Sequence, residues 1–439
     1  MKFNFRSFAL IIAALASVFT LSGSLRAQDI SVAASVAHDQ NIFNIYDQTS
    51  DDIAQFDLEA SKDWDAGQTS LGLAYAGSIL FFRGLTSRNY HSHFVTFNAT
   101  YQFEPPEEEQ DESESGGDSA KAAAPIIPAE VQPDSSCRFL YALITGASQF
   151  DKEDFSEYDN TLASGTFIFR QPLGKGGSIR PIYTLSYHSY PNLSAVTNIQ
   201  NIFAVQFGAD IPYGGKITLI PAYAVKSYPV ASSVTYTVGT QTSTGHGKSG
   251  AHGGLIKRTI TFDLSSAPAK QFSFTLNWKQ KIWKNTEMEA RYSYHGEPST
   301  GARVIPLQLG GSASEIQVFA GDFGKENEIF DDNFSYSDNE INLNAEQQLP
   351  VGFSLKFSGE FQKKSYTYAA MDLQDSLALA GNRLDDRLEL KLNISKMFGL
   401  GGGKHLKPQA EVLYLRNKSN APYYDFEKST YLIRLEYSF

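Results

Sequence analysis

Strict two-residue alternation constrains this chain more than any other feature, and it is cleanest in the stretch Ser429 to Phe439. There Tyr431, Ile433, Leu435, Tyr437 and Phe439 fall on one side, and Leu432, Arg434, Glu436 and Ser438 fall on the other. Successive residues of a β-strand point to opposite faces, so the stretch predicts a strand with one apolar wall and one mostly polar wall. Taken alone, it fits either the last strand of a soluble β-sandwich or a strand of a membrane barrel. The rest of the chain has to separate these readings.

The same period recurs along the sequence. Beginning with Ile30 to Ala37, alternating runs follow around Phe56, Leu71, Val95, Arg138 to Gln149, Leu162, Ile179, Phe203, Ile217, Phe272, Met288, Ile341, Phe353, Leu388, Leu406 and the terminal stretch, which makes about 16 strands. Short turns, as at Asp65-Ala66-Gly67, Pro212-Tyr213-Gly214-Gly215 and Pro350-Val351-Gly352, alternate with longer polar stretches. An up-and-down barrel with both termini on one side predicts this asymmetry and an even strand number, with 14 and 18 as the rival counts. A sandwich gives no reason for it. Pro181 and Pro221 would each cost a ladder bond and are expected at bulges or near rims. Two long outer loops are expected, at Ser227 to Lys257 and Gly296 to Ser337.

Composition agrees. Aromatics make up 13%, mostly Phe and Tyr, which suits strands and interfacial girdles. Hydrophobic residues reach only 42%, and no stretch beyond the N-terminus supplies the ~20 apolar residues of a spanning helix. Residues 1–27 carry +3 and residues 104–136 carry −9, so the total of −11 leaves −5 for the remainder, with no basic concentration to attract nucleic acid. A single cysteine, Cys137, excludes intramolecular disulfides and thiolate metal sites.

Two segments stand apart. Met1 to Ala27 has a charged start (Lys2, Arg6), an apolar run from Phe8 to Leu21 and a small-residue end before Gln28, as a cleaved secretory signal peptide requires. Leu21-Ser22-Gly23-Ser24 resembles a lipobox without the cysteine that carries the lipid, so the mature barrel is read as 28–439 without a lipid anchor. Glu104 to Ser136 is acidic, proline-bearing and nearly without large apolar residues. It is expected to be a disordered periplasmic insertion.

The alternating final strand ending in Phe439, together with the signal peptide and the Asp39, Asn41, Ile42, Phe43 arrangement after the first strand, resembles Gram-negative outer-membrane β-barrels of the porin-like type. That resemblance implies residence in the outer membrane, contact with its lipids and recognition of Phe439 by the barrel-assembly machinery. It also raises a homo-oligomer as a partner arrangement.

Function should then lie on the inward face. Glu289, Arg291, Lys356, Glu360, Arg387, Glu389, Arg434 and Glu436 are candidate lumen-lining residues, with Asp57, Glu59, Asp63, Lys391 and Glu411 beside them. Interspersed signs predict a weakly selective aqueous pore more than a narrow substrate channel. The acidic stretch Asp322, Glu326, Glu328, Asp331, Asp332 and Asp338 is expected to be an outer loop or a constriction folded into the lumen, and it lacks the glycine of a calcium loop. His91-Ser92-His93 and His188-Ser189 put a nucleophile next to a base, but strand neighbours face opposite ways, and no nucleophile elbow or zinc-binding helix is present. The reading is therefore a passive porin-like channel for small hydrophilic solutes, without catalytic, cofactor or metal sites. Its alternatives are a non-conducting structural, adhesive or assembly-linked barrel and, third, an outer-membrane enzyme.

Overall fold

The computed structural model describes residues 29–42, 44, 48–103, 138–151, 159–174, 176–192, 194, 197–229, 233–241, 255–263, 268–283, 285–296, 336–371 and 378–439. The expected signal peptide, the acidic 104–136 insertion, Cys137 and the acidic stretch Asp322, Glu326, Glu328, Asp331 and Asp332 lie outside them.

The strands are β1 (Asp29–Asp39), β2 (Asp51–Ala66), β3 (Thr69–Phe82), β4 (Tyr90–Gln102), β5 (Phe139–Asp151), β6 (Asn160–Pro172), β7 (Gly177–Ser189), β8 (Asn198–Ile211) and β9 (Gly215–Ser227). They continue as β10 (Ser233–Gln241), β11 (Leu255–Asp263), β12 (Ala269–Trp283), β13 (Thr286–His295), β14 (Tyr336–Gln348) and β15 (Phe353–Met371). The last are β16 (Ala378–Lys396), β17 (Phe398–Gly401), β18 (Lys404–Ser419) and β19 (Phe426–Ser438).

Each barrel strand pairs antiparallel with its neighbours, β9 joins β12, and β1 pairs with both β2 and β19, so the sheet closes on itself. The short β17 continues β16 beyond Met397, and β10 and β11 form a separate hairpin, which leaves a closed barrel of 16 strands. Closure removes the edges that an open sheet would expose, and that allows a sheet to cross a bilayer. Among the described residues no helix is long and apolar enough to do so.

The outer wall is apolar. Leu73, Ile79, Val95, Phe97, Ile144, Phe167, Leu185, Phe203, Leu219, Leu276, Phe357, Leu392, Val412 and Ile433 all project outward with large exposed areas. Soluble proteins rarely expose apolar surface on this scale to water. Aromatics gather outward at the end with the tight turns, at Trp64, Tyr101, Phe103, Trp283, Phe353, Phe398 and Phe439. Lys62 lies over the Trp64 ring (5.2 Å), and Lys396 lies over Phe353 and Phe398 (4.9 and 4.8 Å), with aliphatic stems on the apolar belt and charges toward the rim. The fold is thus the all-β transmembrane up-and-down barrel that the alternation predicts.

Three details differ from the sequence reading. The stretch Ser227 to Lys257, read as a loop, holds β10 and the start of β11, which pair as a hairpin that runs on to Asp263, because β-branched Val, Thr and Ile recur through both segments. Pro181 and Pro221 produce no bulge: the register of β6–β7 and β8–β9 is the same on both sides of them, with only the pairs around the ring missing from one ladder. Strands β15 and β16, expected as alternating runs around Phe353 and Leu388, run 19 residues each. At the tight-turn end Tyr213 and Val351 adopt positive φ (65° and 68°) inside Pro-X-Gly turns. For the β-branched Val351 that is a strained backbone.

Candidate functional site: the inner wall

Pairing registers decide which sequence-predicted residues meet on the inner face. Arg291, on β13, donates to Glu340 of β14 at 3.0 Å, and Lys356 of β15 pairs with Glu346 at 3.0 Å. Glu289 lies in register with Lys279 of β12, which pairs with Glu287 at 2.9 Å. Glu360 and Glu389 stand opposite each other on β15 and β16; Asn342 donates to Glu360 (3.3 Å), and Arg387 reaches Glu389 (3.5 Å). Lys391 and Glu411 pair at 3.7 Å. On β19, Arg434 donates to Asp57 of β2 at 2.5 Å, a carboxylate that also accepts from Ser78 and Gln55 (2.7 Å each). Glu436 lies 3.9 Å from Arg434, and Ser31 donates to Glu59 at 3.4 Å. The lumen candidates on β13, β15, β16 and β19 thus belong to one ion-pair wall that runs from β12 through β19 to β2.

The opposite wall differs, which the sequence reading did not separate. From β5 to β9 the inward side chains include Phe139, Tyr141, Ile168, Ile182 and Ala204, a buried apolar cluster extended by Leu143, Ile220 and Ala222. Two guanidiniums, Arg170 and Arg180, lie over the Phe139 ring at 5.7 and 5.9 Å. The signal was present in the sequence as apolar residues at inward positions of these strands. Counting charges alone passes over it.

Toward the long-loop end the inner wall carries three polar clusters. Asp338 sits on β14 rather than in the acidic loop, since β14 begins at Tyr336. It is 2% exposed, lies 2.6 Å from His295 Nδ1 and accepts from Gln362. Arg383 forms a two-point pair with Asp385, stacked between Tyr366 (4.1 Å) and Tyr424 (3.3 Å). Asn417 joins them by donating to Asp385 (3.2 Å) and to the Tyr424 carbonyl (2.7 Å). Asp39 accepts from Lys428 and Thr430 across the β1–β19 seam (3.0 and 3.2 Å).

At the same mouth the segment before β4 turns inward. Ile42 and Phe82 form a second apolar cluster with Ile53, Leu80, Leu85, Tyr90 and Tyr424. Arg88 is buried over the Phe82 ring (5.3 Å), and the Asp51 carboxylate accepts the backbone N–H groups of Gly84 and Leu85 at 2.8 to 3.0 Å. Short connections therefore pack over the β1–β4 side of this end, while the stretch expected to form an outer loop or constriction lies outside the described residues up to 335. Residues with no apparent polar role in the sequence (Asp51, Arg88, Arg383, Asp385) prove central, because contacts from other elements, such as Gly84 on Asp51, Phe82 under Arg88 and Tyr424 and Asn417 on the Arg383–Asp385 pair, enclose them.

Neither serine–histidine neighbourhood of the sequence forms a pair. His188 faces inward and Ser189 outward, and Ser92 points inward while His91 and His93 point outward, as strand alternation dictates. Among the described residues no group of three or more His, Cys, Asp or Glu side chains could hold a metal ion.

Comparison with known proteins places these walls in context. A family model described as "Surface lipoprotein assembly modifier" matches residues 266–439, which is β12 to β19 and so most of the ion-pair wall. No curated protein matches. Among solved structures the chain is similar to the outer membrane protein OprD from Pseudomonas aeruginosa (10% identity, TM-score 0.41, covering 94% of this chain and 92% of that one). It is likewise similar to OccK5 from the same organism (11%, TM-score 0.40, 94% and 97%) and to OccAB2 from Acinetobacter baumannii (10%, TM-score 0.40, 94% and 97%).

Proposed function

We propose that this barrel resides in the outer membrane of a Gram-negative cell and acts as a passive channel for small hydrophilic solutes. The observation that carries this reading is the inner wall: a 16-strand closed sheet with an apolar outside and an inside where carboxylates and cations alternate in ion pairs. Barrels of 16 to 18 strands enclose an aqueous bore rather than a core filled by side chains. Interleaved signs keep such a bore hydrated and only weakly selective, because no ring of one charge dominates. Residues 1–27 direct export and are removed. Phe439 presents the end of β19 to the assembly machinery; it pairs in both backbone directions with Ile30 (3.1 and 2.9 Å), where the barrel closes.

A second reading is favoured by the family match on residues 266–439 and by the inward packing of Ile42, Leu85 and Arg88 at the mouth. In that reading the barrel does not conduct and serves assembly of surface proteins. Single-channel recording of the refolded protein in a planar bilayer separates the two, with a variant lacking 296–337 alongside. Steady conducting steps in the full chain support the channel. Steps only in the shortened variant support a plugged barrel. Silence in both, with insertion confirmed, overturns the channel reading.

A further inference from the structure

The His91-Ser92-His93 stretch, which carries no catalytic geometry, has a different feature on the outside of the barrel. Tyr75 on β3 and His93 on β4 meet with Oη and Nδ1 2.9 Å apart, and His93 Nε2 lies 3.1 Å from His91 Nδ1. Tyr75 reaches His93 by lying across Gly77, where any Cβ would stand 2.4 Å from the tyrosine oxygen. With Tyr75 donating to Nδ1, His93 carries its proton on Nε2 and donates it to His91. The His91 Nε2–H is then the outer end of the relay, and its ring packs on Phe150 of β5 at 5.2 Å.

The location makes this unusual. Along β4 the next outward side chains are Val95 and Phe97, and on β3 they are Leu73 and Ile79, all belonging to the apolar belt. His91 lies in register with Ile79 and one residue from the start of β4 at Tyr90, so the relay stands at the upper edge of that belt on the long-loop side. Ionisable groups on a lipid-facing surface are costly unless they meet a polar partner, and here two imidazoles and a phenol satisfy one another while leaving a donor at the rim. Among the described residues nearby, Asp52, above the belt, accepts from Arg83 (2.8 Å) and lies 2.9 Å from His38. Ser148 of β5, opposite His93, adds a hydroxyl and no charge.

We infer that Tyr75, His93 and His91 form a docking site for the phosphate of an anionic lipid headgroup in the long-loop leaflet. The site rests on the membrane reading of the barrel but not on conduction. A phosphate oxygen accepts the His91 Nε2–H, and the negative charge on that acceptor makes the bond charge-assisted.

Native mass spectrometry of the refolded full chain, titrated with dioleoyl phosphatidic acid and with dioleoyl phosphatidylcholine, tests the inference. The expected preference for phosphatidic acid is roughly tenfold, the scale of one charge-assisted hydrogen bond. It should fall toward unity in the His91→Gln, His93→Gln double variant and persist in Arg83→Gln. Heat-modifiable migration on gels confirms that each barrel is folded, and the milder Tyr75→Phe variant, expected to weaken the preference partially, serves if the double variant does not fold. Equal binding of the two lipids overturns the inference, as does a preference unchanged in the folded double and Tyr75→Phe variants. A silent channel that keeps the preference leaves the lipid site standing. A conducting channel without it removes the lipid site alone.

Discussion

Asp385 and Asp386 are adjacent on β16 but face opposite sides of the wall, so one strand supplies both a test and its control. Asp385 is 2% exposed and accepts two bonds from Arg383, itself 5% exposed, and one from Asn417. Replacing Asp385 by Ala leaves a buried guanidinium held between Tyr366 and Tyr424 with its carboxylate partner gone. Breaking a buried pair from one side in this way costs about 3–5 kcal/mol, since the remaining charge keeps its desolvation penalty. Asp386 faces outward, is 55% exposed and lies 3.8 Å from Lys363, which is 61% exposed. An exposed pair of that kind contributes about 0–1 kcal/mol, so Asp386→Ala should be nearly silent. Urea unfolding of the refolded protein in lipid vesicles, followed by tryptophan fluorescence, measures both. The double variant Arg383→Met, Asp385→Leu should recover much of the loss, because it removes both charges together. An Asp385→Ala effect within about 0.5 kcal/mol of the Asp386→Ala effect would refute the assignment of the Arg383 cluster as a buried lock of the mouth.

Further outcomes follow from the same geometry. Ile433, outward and 72% exposed to lipid, should lose about 2–4 kcal/mol on replacement by Lys, whereas its inward neighbour Leu432 should accept Gln with a much smaller loss; vesicle unfolding compares them. Val351→Gly should raise stability by about 1 kcal/mol, the difference between the left-handed penalty of a β-branched residue and the entropic cost of glycine, and a lowered urea midpoint would contradict this. If the bore conducts, Arg434→Gln leaves Asp57 without its cation and should move the reversal potential in a salt gradient toward cation selectivity, while Asp57→Asn should move it the other way. Shifts of the same sign in both would show that this pair does not face the ion path.

The sequence by itself determined the strand class, the number of staves and the face on which each residue lies. Alternation is a local property, and in a barrel one face of every strand meets lipid, so the pattern in Ser429–Phe439 or Leu71–Phe81 needs no partner to be read. Tight turns were equally legible, because Pro, Gly and Asn punctuate the chain where it reverses. The β10–β11 hairpin was not, since Gly, Ser and Thr suit both a loop and a short ladder. Tertiary structure alone decided the contacts that give the inner wall its character. Arg434 and Asp57 are 377 residues apart, and Lys428 and Asp39 are 389 apart, so only closure of β19 on β1 and the register of that seam bring their charges together. The same holds for Arg383 beneath Tyr424, for Asp51 capping the turn at Gly84, and for the apolar wall around Phe139. A sequence shows which way each side chain points across its own strand. Shear and closure set which distant side chain stands opposite, and these belong to the whole sheet.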